Sequence, residues 1–441
     1  MKTYLYKLIS NNNFIRFLYF LLLLFSCFLY HKNYKIFLSK KKKVCVALND
    51  VRFAKDLKII EKNSKYFFFR IPYKFQSRLI NPIIIKNKID FNNEYDLFSL
   101  KNNNKNKKLK NEIIEKYLNC FSFLFNIINA KAVFSAAVHY KWDVIIGEIS
   151  KKIGIKYIIL HKENFTPLNH QIENKSKFYN GFFKSKADLI ITQNELTKKI
   201  FEKKLIEKKK IYSLGALRFS KYLNFIKKNN KAKKKNNSRK IVTLFSFSHR
   251  SGIYGKRFQI DFFYKKIGWI RLFRDVHKAI YELASNNPNI KFIIKTKWIF
   301  EWHDQILKEI GIDSVKNLPK NLSIVDEMSV LKLLKISDLV IAFNSTTILE
   351  AGLFGKKVIC PNFAEAKNEY KKFVMHNIFK SKIDLANSPV DLKKKILKNL
   401  SGNKQKTRSF IKEFEKYISP INVSVIKNYL NKIDNVINAK S

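Results

Sequence analysis

Asn344-Ser345-Thr346-Thr347 places an amide and three small hydroxyls directly after the apolar run Leu339 to Phe343 and directly before Ile348 to Phe354. A short apolar run bounded by polar residues predicts a buried strand, and the stretch after it predicts a helix closed by Gly355. Val358 to Cys360 predicts the next strand. Hydroxyls at a strand-to-helix turn, beside unpaired backbone amides and the positive end of a helix dipole, suit an anion such as a phosphate. Glu350, one turn further on, is placed to reach sugar or ribose hydroxyls. The plainer reading is an ordinary βαβ unit in which Asn344 and Ser345 cap the helix. Local pattern leaves the two readings even, and the rest of the chain tips the balance towards a ligand site.

Four more clusters stand at predicted strand ends. His161-Lys162-Glu163-Asn164 follows the strand Ile155 to Leu160. Transfer of a group to a hydroxyl needs a base for the departing proton, and His161 and Glu163 are the catalytic candidates. Lys162 can hold an anionic acceptor or a phosphate; a loop of solvated charges is the competing reading. Ser246-Phe247-Ser248-His249-Arg250-Ser251-Gly252 follows the strand Ile241 to Phe247. Ser248, Ser251 and Gly252 allow close backbone approach to a phosphate, with Arg250 as a bidentate cation and His249 beside it. Lys295-Thr296-Lys297-Trp298 offers a cationic, stacking-capable strand end for a nucleotide diphosphate. In Gly215-Ala216-Leu217-Arg218 the glycine serves either a turn or a site. His31, His139, His170, His277 and His376 have no partner spacing and read as core or surface residues.

The elements that position these clusters alternate. Strands are expected at 44–48, 66–71, 132–138, 155–160, 187–192 and 211–214, with helices at 112–128, 142–152 and 195–204. Residues 91–111 read as a polar, Lys/Asn-rich loop. After the run 225–240, which no core can use, the alternation restarts with a strand at 241–247, a helix at 275–284 and a strand at 291–296. The division is an anchor and basic flank over 1–43, a Rossmann-like domain over 44–224, a linker over 225–240, a second Rossmann-like domain over 241–391, and helices packing back across the domains over 392–441. An internal echo supports two similar halves: Ala187-Asp188-Leu189-Ile190-Ile191-Thr192-Gln193-Asn194 parallels Ser337-Asp338-Leu339-Val340-Ile341-Ala342-Phe343-Asn344. Ligands of such sheets bind beyond the strand C-termini, where all the clusters fall.

The 441 residues carry 87 Lys+Arg against 34 Asp+Glu, a formal net charge of +53. The excess is mostly Lys in scattered Lys/Asn runs without an aromatic platform, which argues against nucleic acid and for an anionic membrane surface. None of the cysteines, Cys27, Cys45, Cys120 and Cys360, forms a Cys-x-x-Cys pair, so neither a disulfide framework nor a zinc site is expected. Phe17 to Tyr30 has no charge and no small-x-small cleavage site after it. It predicts a single uncleaved anchor, either spanning or embedded in one leaflet, since a spanning helix needs about twenty residues. The larger count of lysines after the run puts the catalytic body in the cytoplasm.

The block 337–361 resembles the donor-binding half of GT-B glycosyltransferases that build capsules and other bacterial surface polymers, a group that includes capsule Kdo transferases, bacterial sialyltransferases and teichoic-acid polymerases. The similarity extends loosely from Val44 to Pro361. It implies two Rossmann-like domains facing across a cleft, 44–224 for the acceptor and 241–391 for the nucleotide donor, with Ser345 and Thr346 on the nucleotide phosphates. The loop of Ser248, His249, Arg250 and Ser251 would lie on the pyrophosphate, Lys295 and Lys297 near the nucleotide, and Asp326-Glu327 near the base. It implies no cofactor or metal, the nucleotide-activated sugar being a substrate, and a surface glycan or lipid-linked acceptor. One departure matters: the Lys-x-x-His-Pro-like element of these transferases is missing at Lys295, and His303 stands five residues late, which weighs against a CMP-linked donor. Two other functions fit the same fold. A UDP-N-acetylglucosamine 2-epimerase would carry a Gly-Gly turn where this chain has Asn344-Ser345-Thr346, and an inactive scaffold of a polysaccharide assembly complex would bind donor without turnover.

Overall fold

A computed structural model describes residues 8–30, 43–48, 50–86, 103–162, 164–180, 184–202, 210–220, 222, 239–249, 251–253, 268–297, 300–402, 410–421 and 423–439. The chain divides into two compact units. The first comprises Met1–Asn164, Ile172–Lys221 and Lys416–Ser441; the second comprises Phe165–Gln171 and Tyr222–Glu415. Most of the run read as a linker, 225–240, lies outside the described residues; Lys240 itself opens a strand.

The first unit is a six-stranded sheet: β1 (Lys43–Leu48), β2 (Tyr66–Ile71), β3 (Ala132–Ser135), β4 (Lys156–Leu160), β5 (Leu189–Thr192) and β6 (Ile211–Ser213), in the order β2-β1-β3-β4-β5-β6. Every pairing is parallel. Parallel strands are buried on both faces and read as continuous apolar runs, with alternate side chains feeding opposite layers. Val44, Val46 and Leu48 pack beneath α1 (Asn13–Tyr30), α3 (Tyr73–Lys86), α4 (Asn103–Ile127) and α5 (Lys141–Lys152). Cys45 and Ala47 face α2 (Ala54–Asn63) and α14 (Val425–Asn438). The four cysteines are buried and none is in a disulfide.

Two expectations change here. The apolar run is not a spanning anchor: among the described residues no helix is long and apolar enough to cross a membrane. It forms α1, and Phe20, Leu23, Leu24 and Cys27 on one side of α1 belong to the core of the first unit. Arg16 is buried with it and donates to the carbonyls of Ile9 and Ser10 and to Asn13 Oδ1. The polar stretch read as a loop over 91–111 turns helical from Asn103, because Leu109, Ile113 and Ile114 bring the lysine-rich turn onto the core; residues 91–102 lie outside the described residues.

The second unit repeats the plan with β7 (Lys240–Phe245), β8 (Ile290–Lys295), β9 (Leu322–Val325), β10 (Leu339–Ala342), β11 (Lys357–Pro361) and β12 (Asp384–Ala386). The order is β12-β11-β10-β7-β8-β9, all parallel. Its chain order reverses between β7 and β10, the switch point beyond which such sheets bind ligands. One face is covered by α8 (Ile270–Asn286), α9 (Phe300–Ile310) and α12 (Pro389–Ser401). The second unit also holds α10 (Val330–Ile336), α11 (Thr347–Leu353) and most of α13 (Ile411–Tyr417), while α7 (Glu195–Glu202) and most of α6 (Asn169–Asn180) belong to the first.

Candidate functional site

At the switch point of the second unit two loops are stapled by one side chain. Asn344 follows β10 with φ at +45°, a left-handed conformation that asparagine tolerates better than most residues. Its Nδ2 donates to Ser251 O at 2.8 Å and to Phe373 O at 3.1 Å, and its Oδ1 accepts from Met375 N at 2.8 Å. The loop after β7 is thereby held against the strand end of β10. Gly252 is required there: its φ is +78°, and a Cβ would stand 2.8 Å from Asn344 Nδ2. Ser251 N bonds Ser248 O at 3.1 Å, Trp269 Nε1 bonds Ser251 O at 2.7 Å, and the Ser248 and Ser251 hydroxyls lie 3.4 Å apart. Beside this staple His376 is fully buried, and its imidazole is depressed to about 3 by desolvation, so it is neutral.

Ser345 and Thr346 are half-buried at the start of α11. Ser345 Oγ accepts from Thr347 N at 3.3 Å and from Thr347 Oγ1 at 2.9 Å. Thr346 Oγ1 donates to Glu350 Oε1 at 2.9 Å, and Glu350 is buried behind it. His249 is buried with its ring edge-on to Phe273 at 4.9 Å, and its carbonyl accepts from Trp269 N at 2.7 Å. Arg250 lies outside the described residues. The N-terminus of α8, the next helix, is already taken: both carboxylate oxygens of the buried Glu365 accept from it, Oε1 from Arg271 N at 2.8 Å and Oε2 from Leu272 N at 2.9 Å.

The two lysines beyond β8 behave oppositely. Lys295 spends its ammonium on the carbonyls of Thr296 and Asp326. Lys297 is exposed, no acceptor among the described residues reaches its ammonium, and desolvation lowers its pKa. His303, five residues late in sequence, is returned by α9 to the same strand end, with Nε2 2.8 Å from Thr296 Oγ1. The sequence signal for it is the helical register that starts at Phe300. His277, on α8, is a core residue bonded to Ser246 Oγ at 2.9 Å and Phe273 O at 2.6 Å, and burial lowers it to about 4.

In the first unit His161 follows β4 and is 1% exposed, edge-on to Phe201 at 4.8 Å. Glu163 lies outside the described residues. Lys162 makes a buried ion pair with Asp56 of α2. Desolvation lowers the lysine's pKa, the Asp56 carboxylate opposes that, and the Arg218 guanidinium adds to it. Asp143, in the first turn of α5, is a buried acid that sequence reading passed over. It binds Ser135 Oγ at 2.9 Å, and desolvation raises it to about 7 against the hydrogen bonds and Arg52. Gly215, at φ +88°, lets the C-terminal segment close in: Ser419 Oγ accepts from Ala216 N at 3.0 Å, and Tyr429 Oη donates to Gly215 O at 2.6 Å. The turn has that packing reason.

Two doubly wound, all-parallel α/β units with their polar loops at the strand C-termini set the class of the molecule. No family model and no curated protein sequence matches the chain. Among solved structures it is similar to the UDP-GlcNAc 2-epimerase from Neisseria meningitidis bound to UDP-GlcNAc, at 11% identity and a TM-score of 0.45 over 89% of this chain and 99% of that one. It is similar to the wall teichoic acid polymerase TagF, at 12% identity and 0.46 over 97% and 98%. A UDP-N-acetylglucosamine 2-epimerase from Rickettsia bellii gives 10% identity and 0.46 over 90% and 97%.

Proposed function

We propose that this chain is a GT-B-type glycosyltransferase that moves a sugar, or a polyol phosphate, from a nucleotide-activated donor to a cell-surface glycan or lipid-linked acceptor on the cytoplasmic side of the membrane. In this reading the second unit holds the donor and the first the acceptor. The observation that carries it is Lys297. Its ammonium is exposed at the end of β8 with no acceptor in reach among the described residues, and a diphosphate would supply one. Ser248, Ser251, Ser345 and Thr346 at the neighbouring strand ends add hydroxyl and backbone donors for the remaining phosphate oxygens. As the donor bond breaks, charge grows on the leaving group, a nucleoside diphosphate when a sugar is moved and a nucleoside monophosphate when a polyol phosphate is, and a cation held at the strand end stabilises it at that moment. Lys295, tied to two carbonyls, shapes the strand end. The acceptor proton is assigned to Glu163 or His161; the burial of His161 favours Glu163.

The test is thermal stabilisation by UDP-, GDP-, CMP- and CDP-linked donors, read on the wild type and on Lys297→Met. One donor is expected to raise the melting temperature, with an affinity that falls about tenfold in the variant. No response to any donor sinks the reading. Isomerisation of UDP-N-acetylglucosamine would make the chain an epimerase, and donor binding without turnover on any acceptor would make it a scaffold. Glu163→Gln is expected to abolish turnover with donor affinity intact.

A further inference from the structure

We propose that the outer face of α1, continued by α4, is a membrane-docking surface on which the protein lies in the plane of an anionic leaflet. The inference goes beyond the donor reading and stands independently of it. Along α1, Phe14, Leu18, Leu22 and Phe25 are 69%, 44%, 71% and 64% exposed. At about 100° per residue they fall within an arc of roughly 80°. Phe20, Leu23, Leu24 and Cys27 lie on the opposite side and are buried in the core of the first unit. The exposed strip does not stop at the helix edge. Phe17 packs edge-on against Phe123 of α4 at 5.4 Å, and Phe123 and Ile127 are themselves 39% and 42% exposed. Single exposed apolar residues are ordinary; six large ones on two packed helices form a patch that calls for an apolar partner.

Charge identifies that partner. No Asp or Glu precedes Asp50 in the chain, while Lys2, Lys7, Lys32, Lys35 and the run Lys40 to Lys43 flank the helix in sequence. The only other cation of that stretch, Arg16, is turned inward onto the carbonyls of Ile9, Ser10 and Lys116. An apolar strip set in a stretch with cations and no anions matches acyl chains under anionic headgroups. A second copy would bring two such cationic stretches together, on chains that each carry +53. The mode is in-plane because the buried side of α1 is already committed to protein. Only side chains of the exposed strip can enter the bilayer, to the depth of the headgroup–acyl boundary.

The experiment is flotation of the full chain with phosphatidylcholine vesicles, with and without phosphatidylglycerol, for the wild type and for Leu22→Glu/Phe25→Glu. Both substituted positions are exposed, so the variant should keep the wild-type melting temperature. Wild type is expected to float with the anionic vesicles and far less with the neutral ones, and the variant to lose more than tenfold in binding. Failure of the wild type to float with anionic vesicles, or unchanged flotation of the variant, overturns the proposal. A lipid-free dimer in sedimentation that the same variant splits also overturns it, by giving the face to a second copy. Donor stabilisation, measured on the same samples, reports on the second unit alone and separates the two readings.

Discussion

Asp188 in the first unit and Asp338 in the second each stand one residue before a strand, and each does the same work. Asp188 exchanges backbone and side-chain bonds with Tyr157 at the start of β4, both at 2.8 Å. Asp338 does so with Ile241 at the start of β7, at 2.8 and 3.0 Å. Six residues on, the two halves part. Asn194 turns inward: its Oδ1 caps α7 through Thr197 N at 2.9 Å, and its Nδ2 reaches the carbonyls of Asn164 and Tyr417. Asn344 adopts a positive φ and spans outward to a second loop and a third segment. The same strand-entry device therefore serves both units, while the strand exits differ. Exits of the first unit close on themselves, through Asn194 and the buried Lys162–Asp56 pair. Exits of the second leave the hydroxyls of Ser345 and Thr346 half-exposed and, among the described residues, the ammonium of Lys297 without an acceptor, and it is there that the proposed donor would bind.

If charge at the first unit's exits is structural, breaking it should give the largest effect. Asp56→Asn leaves Lys162 buried without its carboxylate and is expected to cost about 3–5 kcal/mol in urea unfolding. Replacing both, as Asp56→Leu with Lys162→Met, should recover most of that. Lys297→Met should leave stability unchanged, since the exposed ammonium bonds no acceptor among the described residues. Equal losses at Asp56 and Lys297 would erase the distinction between the two exits.

The buried titrating groups sharpen the contrast through pH. Asp143 in the first unit keeps its proton up to about pH 7 when folded and loses it near 3.8 when unfolded. Its contribution is therefore present below the unfolded value and lost as pH rises through the folded one. His277 in the second unit runs the other way: its stability is present above pH 6.5 and lost as pH falls towards about 4. Asp143→Asn, which keeps a polar group near Ser135, should gain on the order of 2–4 kcal/mol at pH 7 and little near pH 4. Arg52 and Tyr157 act on this group as well, so urea midpoints are to be taken across the whole range. A variant as pH-dependent as wild type between 4 and 7 would remove Asp143 from the account.

The asparagines give the next effect. Asn194→Ala and Asn344→Ala each lose three hydrogen bonds inside the protein and should cost about 2–3 kcal/mol apiece. Only Asn344→Ala is expected to weaken donor binding as well, because it alone frees the Ser248–Gly252 loop. Loss of donor binding in both would mean that overall stability, and not the staple, governs the site.

Much of this was legible in sequence, for physical reasons. Buried parallel strands are apolar runs ended by polar punctuation, so Tyr66–Ile71 and the runs behind β1, β4, β7, β8, β10 and β11 stand out. β9 and β12 do not, since Leu-Ser-Ile-Val and Asp-Leu-Ala are short and half-exposed. The clusters at the strand ends were legible as residue types, but their division of labour was not. Lys295 and Lys297 look alike in sequence and differ only in what surrounds each ammonium. His303 and Asp143 reach their places through helices that bring distant residues back to a strand end, which spacing from the strand does not reveal. The N-terminal run misled for a clear reason: hydropathy measures apolar content, and α1 has apolar residues on both its buried and its exposed side.

The smallest effects decide whether the hydroxyls at α11 belong to the fold or to a ligand. Ser345 Oγ accepts twice from Thr347, once from its backbone and once from its hydroxyl, which leaves its own hydrogen free for an acceptor outside the turn. Thr346 gives its hydrogen to Glu350, so towards a phosphate it offers only its backbone amide unless Glu350 is protonated or the hydroxyl rotates. Ser345→Ala should therefore cost about 1 kcal/mol in donor affinity, Thr346→Ala less, and each no more than about 1 kcal/mol in stability. Donor titrations followed by the change in melting temperature give both quantities from one set of samples. The reverse order, with Thr346→Ala the more damaging to binding, would mean that the donor draws Thr346 away from Glu350 and leaves that buried carboxylate to a hydroxyl of the sugar or ribose. Unchanged affinity in both, with lowered melting temperatures, would leave the two residues as a turn that starts a helix and hand the phosphate to Lys297 and the Ser248–Gly252 loop.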